Sequence, residues 1–358
     1  MSSTAPSLRW PGVPYALGSA ALFGASTPLA KLLLGAVSPW MLAGLLYLGS
    51  GVGLGAVRLW QASCGTAPRE APLRRGDLPW LGAVVLAGGI AGPVLLMIGL
   101  AGTPAPAASL LLNLESVFTL AIAWIAFHEN VDARIGAGAA AIVLGALLLS
   151  WNGEAALRVN WPALMIAAAG LAWAIDNNMT RKLSSADPLV IAMVKGLASG
   201  SVNLGLAAIA GAPWPGAGTL LAAGLLGFLG YGVSLALFVL ALRHLGAART
   251  SAYFSSAPFI GAILGFAIFG GGASVAFLVA AALMAFGLWM HLSERHTHRH
   301  RHEAMIHEHR HSHDLHHQHV HEPSDPAGEP HSHVHAHPRL VHRHPHYPDL
   351  HHRHSHSH

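Results

Sequence analysis

The chain is short of charge and almost without cysteine. Only 10% of its 358 residues are Asp, Glu, Lys or Arg, where a soluble domain carries about a quarter. A single cysteine, Cys64, excludes an intrachain disulfide and a thiolate metal cage. No nucleophile–base pair, phosphate-binding glycine loop or HExxH helix is present, so an enzyme is not expected. The formal net charge of +4 comes from loops and the tail, not from one basic face, so no nucleic-acid partner is expected. Apolar residues are what the chain has in excess: 53% hydrophobic, with 40 Gly, 10 Trp and a mean hydropathy of +0.47. Glycine lets membrane helices approach closely, and tryptophan favours the bilayer interfaces.

A membrane-crossing helix needs about 20 mostly apolar residues. Such runs are predicted at 13–34, 39–57, 78–101, 104–127, 134–151, 161–180, 188–210, 218–242, 246–269 and 274–292. Breakers separate them, among them Ser38-Pro39, Thr103-Pro104, Asn152-Gly153, Asp187-Pro188 and Gly270–Gly272. The first run is too long, and followed by too many others, to be a cleaved signal. If the N-terminus is inside, the inner segments hold Arg9, Arg58, Arg69, Arg74, Arg75, Arg134, Arg181, Lys182, Arg243 and Arg249, and the outer ones only Lys31 and Arg158. That asymmetry puts both termini in the cytoplasm and requires an even number of spans.

Residues 24–51 align without gaps to 173–200, with Pro39 over Pro188 and Ser50-Gly51 over Ser199-Gly200. The stretch from Asn113 likewise sits over that from Ser255. Five spans per half is odd, so the halves insert with opposite orientation, the usual scaffold of a secondary transporter with its site between the repeats. The expected fold is an all-α polytopic membrane protein of ten transmembrane helices. It comprises a cytoplasmic segment 1–12, repeats 13–151 and 161–292, and a disordered cytoplasmic tail 293–358.

ALFGASTPLAKLLLGAVSPWMLAGLLYLGSG and NLESVFTLAIAWIAFHENVDARIGAGAAAIVLGALLL resemble the two parts of an EamA-type repeat, from the drug/metabolite transporter superfamily. The resemblance covers about 13–292 in two copies, and its most specific pieces are Lys31, Glu115 and Glu129. It implies ten helices, cytoplasmic termini and alternating access. The second copy departs from the pattern, with Ala257 over Glu115 and Gly271 over Glu129, so two symmetric carboxylate sites are not implied.

Three ionisable residues lie well inside the predicted spans: Glu115, Asp176 and Lys195. Such residues are costly in a bilayer and face a cavity or a partner. Asp176 and Lys195 fall at similar depth on adjacent antiparallel helices and are expected to pair, as a static link or as a gate or substrate contact. Asn177 and Asn178 follow Asp176, so at least one of the three faces the interior. A carboxylate alone in a low-dielectric surround takes up a proton or finds a cation. Glu115 is therefore a candidate proton carrier or partner of a cationic substrate, or a protonated group hydrogen-bonded through Asn113, Tyr253 or Ser255. Lys31, near the outer end of the first span, can snorkel and is also a candidate site lysine. His128 and Glu129 are read as interfacial.

All but three of the 27 histidines (His128, His244 and His291) lie from His296 onward, mostly as His-x-His alternations. The candidate metal ligands are His307, His309, His311, His313, His316, His317, His319 and His321. Beyond a Glu322–Pro330 spacer they continue as His331, His333, His335, His337, His351, His352, His354, His356 and His358. Imidazole suits divalent transition metals, and with an ordinary pKa near 6.5 the tail also gains charge on mild acidification. A tolerated low-complexity extension is the third reading.

The leading functional expectation is a secondary transporter, an exporter of a small organic metabolite, with a metal-binding or pH-responsive tail. The alternative is a transition-metal (Ni/Co/Zn-type) transporter or a metal-sensing membrane protein that uses the tail. No cofactor is required for either, and a divalent transition metal would sit on the tail. The expected partners are the lipid bilayer, a small-molecule substrate and transition-metal ions, with a homodimer as the oligomer to test. The expected location is a bacterial-type inner (plasma) membrane, crossed many times.

Overall fold

The computed structural model describes residues 12–66, 70–127, 133–151, 160–184 and 186–293, and the backbone of four strands between 297 and 345. The helices are α1 (Gly12–Leu33), α2 (Pro39–Ser63), α3 (Leu78–Val84), α4 (Gly92–Gly102), α5 (Ala105–Leu111), α6 (Leu114–Phe127) and α7 (Ala133–Ser150) in the first half. The second half holds α8 (Trp161–Leu183), α9 (Pro188–Ile209), α10 (Ala217–Gly227), α11 (Ser234–Phe254), α12 (Ala257–Phe269) and α13 (Val275–Leu292). π-helical segments Val85–Ala91 and Phe228–Val233 join α3 to α4 and α10 to α11.

Helix starts follow from local chemistry. Ser38 caps α2 and Asp187 caps α9, each with proline at the first helical position, where a missing N–H costs nothing. Asn160 caps α8 and Ser274 caps α13 through their side-chain oxygens. Between α12 and α13 the chain turns through Gly270 and Gly271 at φ 69° and 94°, a region that disfavours any side chain.

Among the described residues, eight helical stretches are long and apolar enough to cross a membrane. The other two expected spans are helices as well. In α8 the length suffices, but Asp176, Arg181 and Lys182 lower its hydropathy; the apolar helix Val275–His291 is shorter. Leu59, Ile125, Leu147, Ile209 and Val275 are among many large apolar side chains exposed on the outside, which suits lipid better than water.

The packing is duplicated. The largest contacts join α2 to α9 and α7 to α13, each helix meeting its repeat equivalent. α1 packs on α11 and α12, while its equivalent α8 packs on α4 and α6. Small residues make the crossings possible. A side chain on Gly51 would overlap the Leu197 backbone, one on Gly196 the Gly51 backbone, and one on Gly287 the Gly138 carbonyl. The π-helical segments also fall at equivalent places. So do two helix breaks, at Leu112-Asn113 and Ser255-Ser256, where side chains bond back to their own turn. The Asn113 amide and Ser116 hydroxyl do so at the first break, and the Ser255 and Ser256 hydroxyls at the second.

Beyond the bundle, β1 (Thr297–His302) pairs antiparallel with β4 (Leu340–Pro345), and β2 (Met305–His311) with β3 (His331–His337). These strands fall within 293–358, the stretch expected as a disordered cytoplasmic tail. His-x-His alternation is itself a period-two pattern, which composition hides. The register sets His307 opposite His335, His309 opposite His333 and His311 opposite His331. His313, His316, His317, His319, His321, His351, His352, His354, His356 and His358 lie outside the described residues, as do His128 and Glu129.

Candidate functional site

The site begins with a proline. In the π-helical segment the Gly92 N–H reaches back to Ala87, one residue further than in an α-helix. The next donor would be Pro93, which has none. The Gly88 and Gly89 carbonyls are left for side chains from other helices. Gly88 accepts from the Tyr47 hydroxyl at 2.6 Å and the Trp173 indole at 2.9 Å, and Gly89 accepts from Asn203 at 3.0 Å. The missing side chains matter equally: a Cβ on Gly88 would overlap the Asp176 carboxylate, and one on Gly89 the Ser199 hydroxyl.

Asp176 and Lys195 form the expected ion pair, on Oδ2, and Oδ1 accepts from Thr180 at 2.9 Å. Both residues are almost wholly buried, at 3% and 2% exposure. The helix break at Leu112-Asn113 places Glu115 in the first turn of α6, where the helix dipole favours a carboxylate. Its Oε1 accepts from Asn177 at 2.7 Å. Asn178, one step further round α8, donates to the Thr119 carbonyl and completes the seam between α8 and α6.

These groups converge on a cavity of about 50 Å³ lined by Glu115, Asp176, Asn177 and Lys195, and by the rings of Phe23, Tyr47, Trp173, Tyr231, Phe238 and Phe254. α1, α2, α6, α8, α9 and α11 all contribute, so both repeats build it. Ser19 and Ser234 hold α1 to α11 at its rim through reciprocal hydroxyl–carbonyl bonds of 2.8 and 2.9 Å. A second cavity of about 20 Å³ lies behind Glu115 and Asn177 and is lined by Thr119, Ser251 and Ser255. That is room for about one water molecule.

Three residues expected near the site lie elsewhere. Lys31 donates to the Leu100 and Ala101 carbonyls at 2.5 and 3.0 Å, so it caps the C-terminal end of α4 rather than snorkelling freely. The Asn113 amide bonds the Leu110 carbonyl and the Met284 sulfur, away from Glu115. Tyr253 packs with Ala16 and Leu245. The partner of Glu115 is therefore Asn177, not Asn113, Tyr253 or Ser255. The sequence reading also missed the aromatic wall. Gly88-Gly89 followed by Pro93, in an otherwise unbroken apolar run, is the signal that could have found the centre of it.

At one end of the bundle, Arg243 bonds Glu70 at 2.9 Å and the Ser184 and Ala186 carbonyls at 3.2 and 2.9 Å. Ala71 and Ala186 form a bridge beside it, and Arg58 pairs with Asp187 at 3.4 Å. The guanidinium fork thus ties the segment after α2 to the segment after α8. Arg243→Lys keeps the charge but loses the fork. It is expected to cost about 1–2 kcal/mol, read as a lower midpoint of thermal unfolding in detergent with the secondary structure unchanged.

Residues 10–151 and 160–293 match the EamA-like transporter family. A protein of Methanothermobacter thermautotrophicus named "Uncharacterized transporter" is 28% identical over 259 residues, covering 69% of this chain and 76% of that protein. A solved crystal structure superposes with a TM-score of 0.60 at 19% identity, over 78% of this chain and 95% of the other, a likeness of fold.

Proposed function

The chain belongs to the EamA-like transporter family, and from that premise we propose that it is a secondary transporter, exporting a small organic metabolite by alternating access through the cavity at Glu115. The observation that carries this reading is the cavity itself, built by helices of both repeats and lined by intramembrane charges. In this reading α8 and α13 are spans, the repeats have opposite orientation, and both termini face the cytoplasm of a bacterial-type inner membrane. The gathering of Arg58 and Arg243 at one end of the bundle supports that orientation.

The cavity also bears on the alternative cargo. It offers one carboxylate and one neutralised pair, whereas a divalent transition metal takes several N, O or S ligands along its route. The tail is then an accessory that binds metal or responds to pH.

The test is untargeted metabolite and metal analysis of cells carrying the full chain, a chain lacking 296–358, or neither. An organic solute is expected to rise in the medium with both chains, and metal retention to follow the tail alone. A change confined to metals, or solute export lost with the tail, overturns the reading.

A further inference from the structure

We propose that the central cavity selects a small organic ammonium ion, seated between Glu115 and the rings around Phe23. This rests on the reading of that cavity as the solute site. Two carboxylates and one amine line it, and two of these three already satisfy each other: Asp176 holds Lys195 on one oxygen and Thr180 on the other. Among the described residues, Glu115 has one neutral partner, Asn177, on Oε1, and no cation within ion-pair distance; the Lys195 charge nearby is held by Asp176. The site therefore presents one unpaired negative charge when Glu115 is ionised.

The remaining wall is largely aromatic, with Ser19, Ser234 and Leu235 between the rings. Phe23 meets Trp173 at 5.4 Å, Tyr231 at 5.7 Å and Phe254 at 5.4 Å between ring centroids. Aromatic faces carry negative partial charge, so they attract an organic cation and repel an anion, most strongly where water is excluded. A zwitterion is disfavoured for a separate reason. Its carboxylate would lose hydration and find Lys195 already committed to Asp176. A cavity of about 50 Å³ has room for a head group of a few heavy atoms.

Four ligands with one ring and different charge test this: benzylammonium, benzyl alcohol, phenylalanine and benzoate, titrated calorimetrically into the purified full-length protein in detergent. Benzylammonium is expected to bind about tenfold tighter than the alcohol, and the other two more weakly than the alcohol. Glu115→Gln removes the preference, and Glu115→Asp restores part of it. The wild-type series decides alone if the glutamine variant fails to fold. Benzoate or phenylalanine binding as tightly as benzylammonium, or a preference that survives in Glu115→Gln, overturns the proposal. Flux in proteoliposomes separates the two levels. If phenylalanine moves and benzylammonium does not, transport stands and the cation is wrong. If benzylammonium binds but no solute moves, the cation stands and transport is wrong.

Discussion

Lys195→Met should lower the stability of the bundle by about 3–5 kcal/mol, and adding Asp176→Asn should return most of it. What each variant leaves behind sets the difference. Two charges at 3% and 2% exposure attract each other strongly because little water screens them. That attraction is largely offset by the hydration both lost on burial. Removing the lysine alone leaves a carboxylate beside the π-helical segment with Thr180 as its remaining described partner. Removing both charges takes the hydration loss away together with the attraction. Thermal unfolding in detergent, followed by tryptophan fluorescence, gives the three values. A double variant as unstable as the single one would mean that the pair is not the unit. Transport by the double variant then separates a static link from a working one. Flux that returns with stability makes the pair structural, and stability without flux makes it part of the pathway.

Gly51→Val should prevent assembly of the bundle, at a cost of about 3 kcal/mol or more. Its new side chain would meet the backbone of Leu197 and Gly196, which cannot rotate away as a side chain can. The matched control is Gly205→Val on α9, where nothing lies within 4 Å of the added carbon. That variant is expected to stay within about 0.5 kcal/mol of the parent. The yield of monodisperse protein after size exclusion reports both. Equal yields would show that the crossing yields more readily than its backbone contact implies.

Much of the site was legible in the sequence, because charge inside an apolar run is conspicuous. Asp176 and Lys195 could be paired from depth alone, since a 1.5 Å rise per residue converts position into height. Glu115 stood out for the same reason, but its partner did not. Asn177 could be placed facing inward only as one of three consecutive residues, and the rotation that aims it at Glu115 depends on how α8 lies against α6. The span 104–127 reads as one apolar run, yet Asn113 breaks it by bonding its own turn and so sets Glu115 in the first turn of a new helix. The widened turn at Val85–Ala91 was invisible in hydropathy, which does not register that Pro93 withholds a hydrogen. The carbonyls that Lys31 meets on α4 were not legible, because a lysine at a helix end has the same position in sequence whatever it bonds.

The meeting of α2 with α9 says something about ancestry. Each helix presents to the other the surface that the other presents to it, with Ser50-Gly51 on one and Ser199-Gly200 on the other. A patch that fits its own copy is what a two-fold homodimer uses. A lone ancestral repeat could have met itself in this way before the two copies became one chain. The charges around the cavity break that two-fold pattern. Asp176 stands where the first repeat has Thr27, Lys195 where it has Leu46, and Glu115 where the second has Ala257. A homodimer would have to carry every charge twice, facing its own image. In one chain each half carries its own charges independently, and the two sides of the cavity need not match.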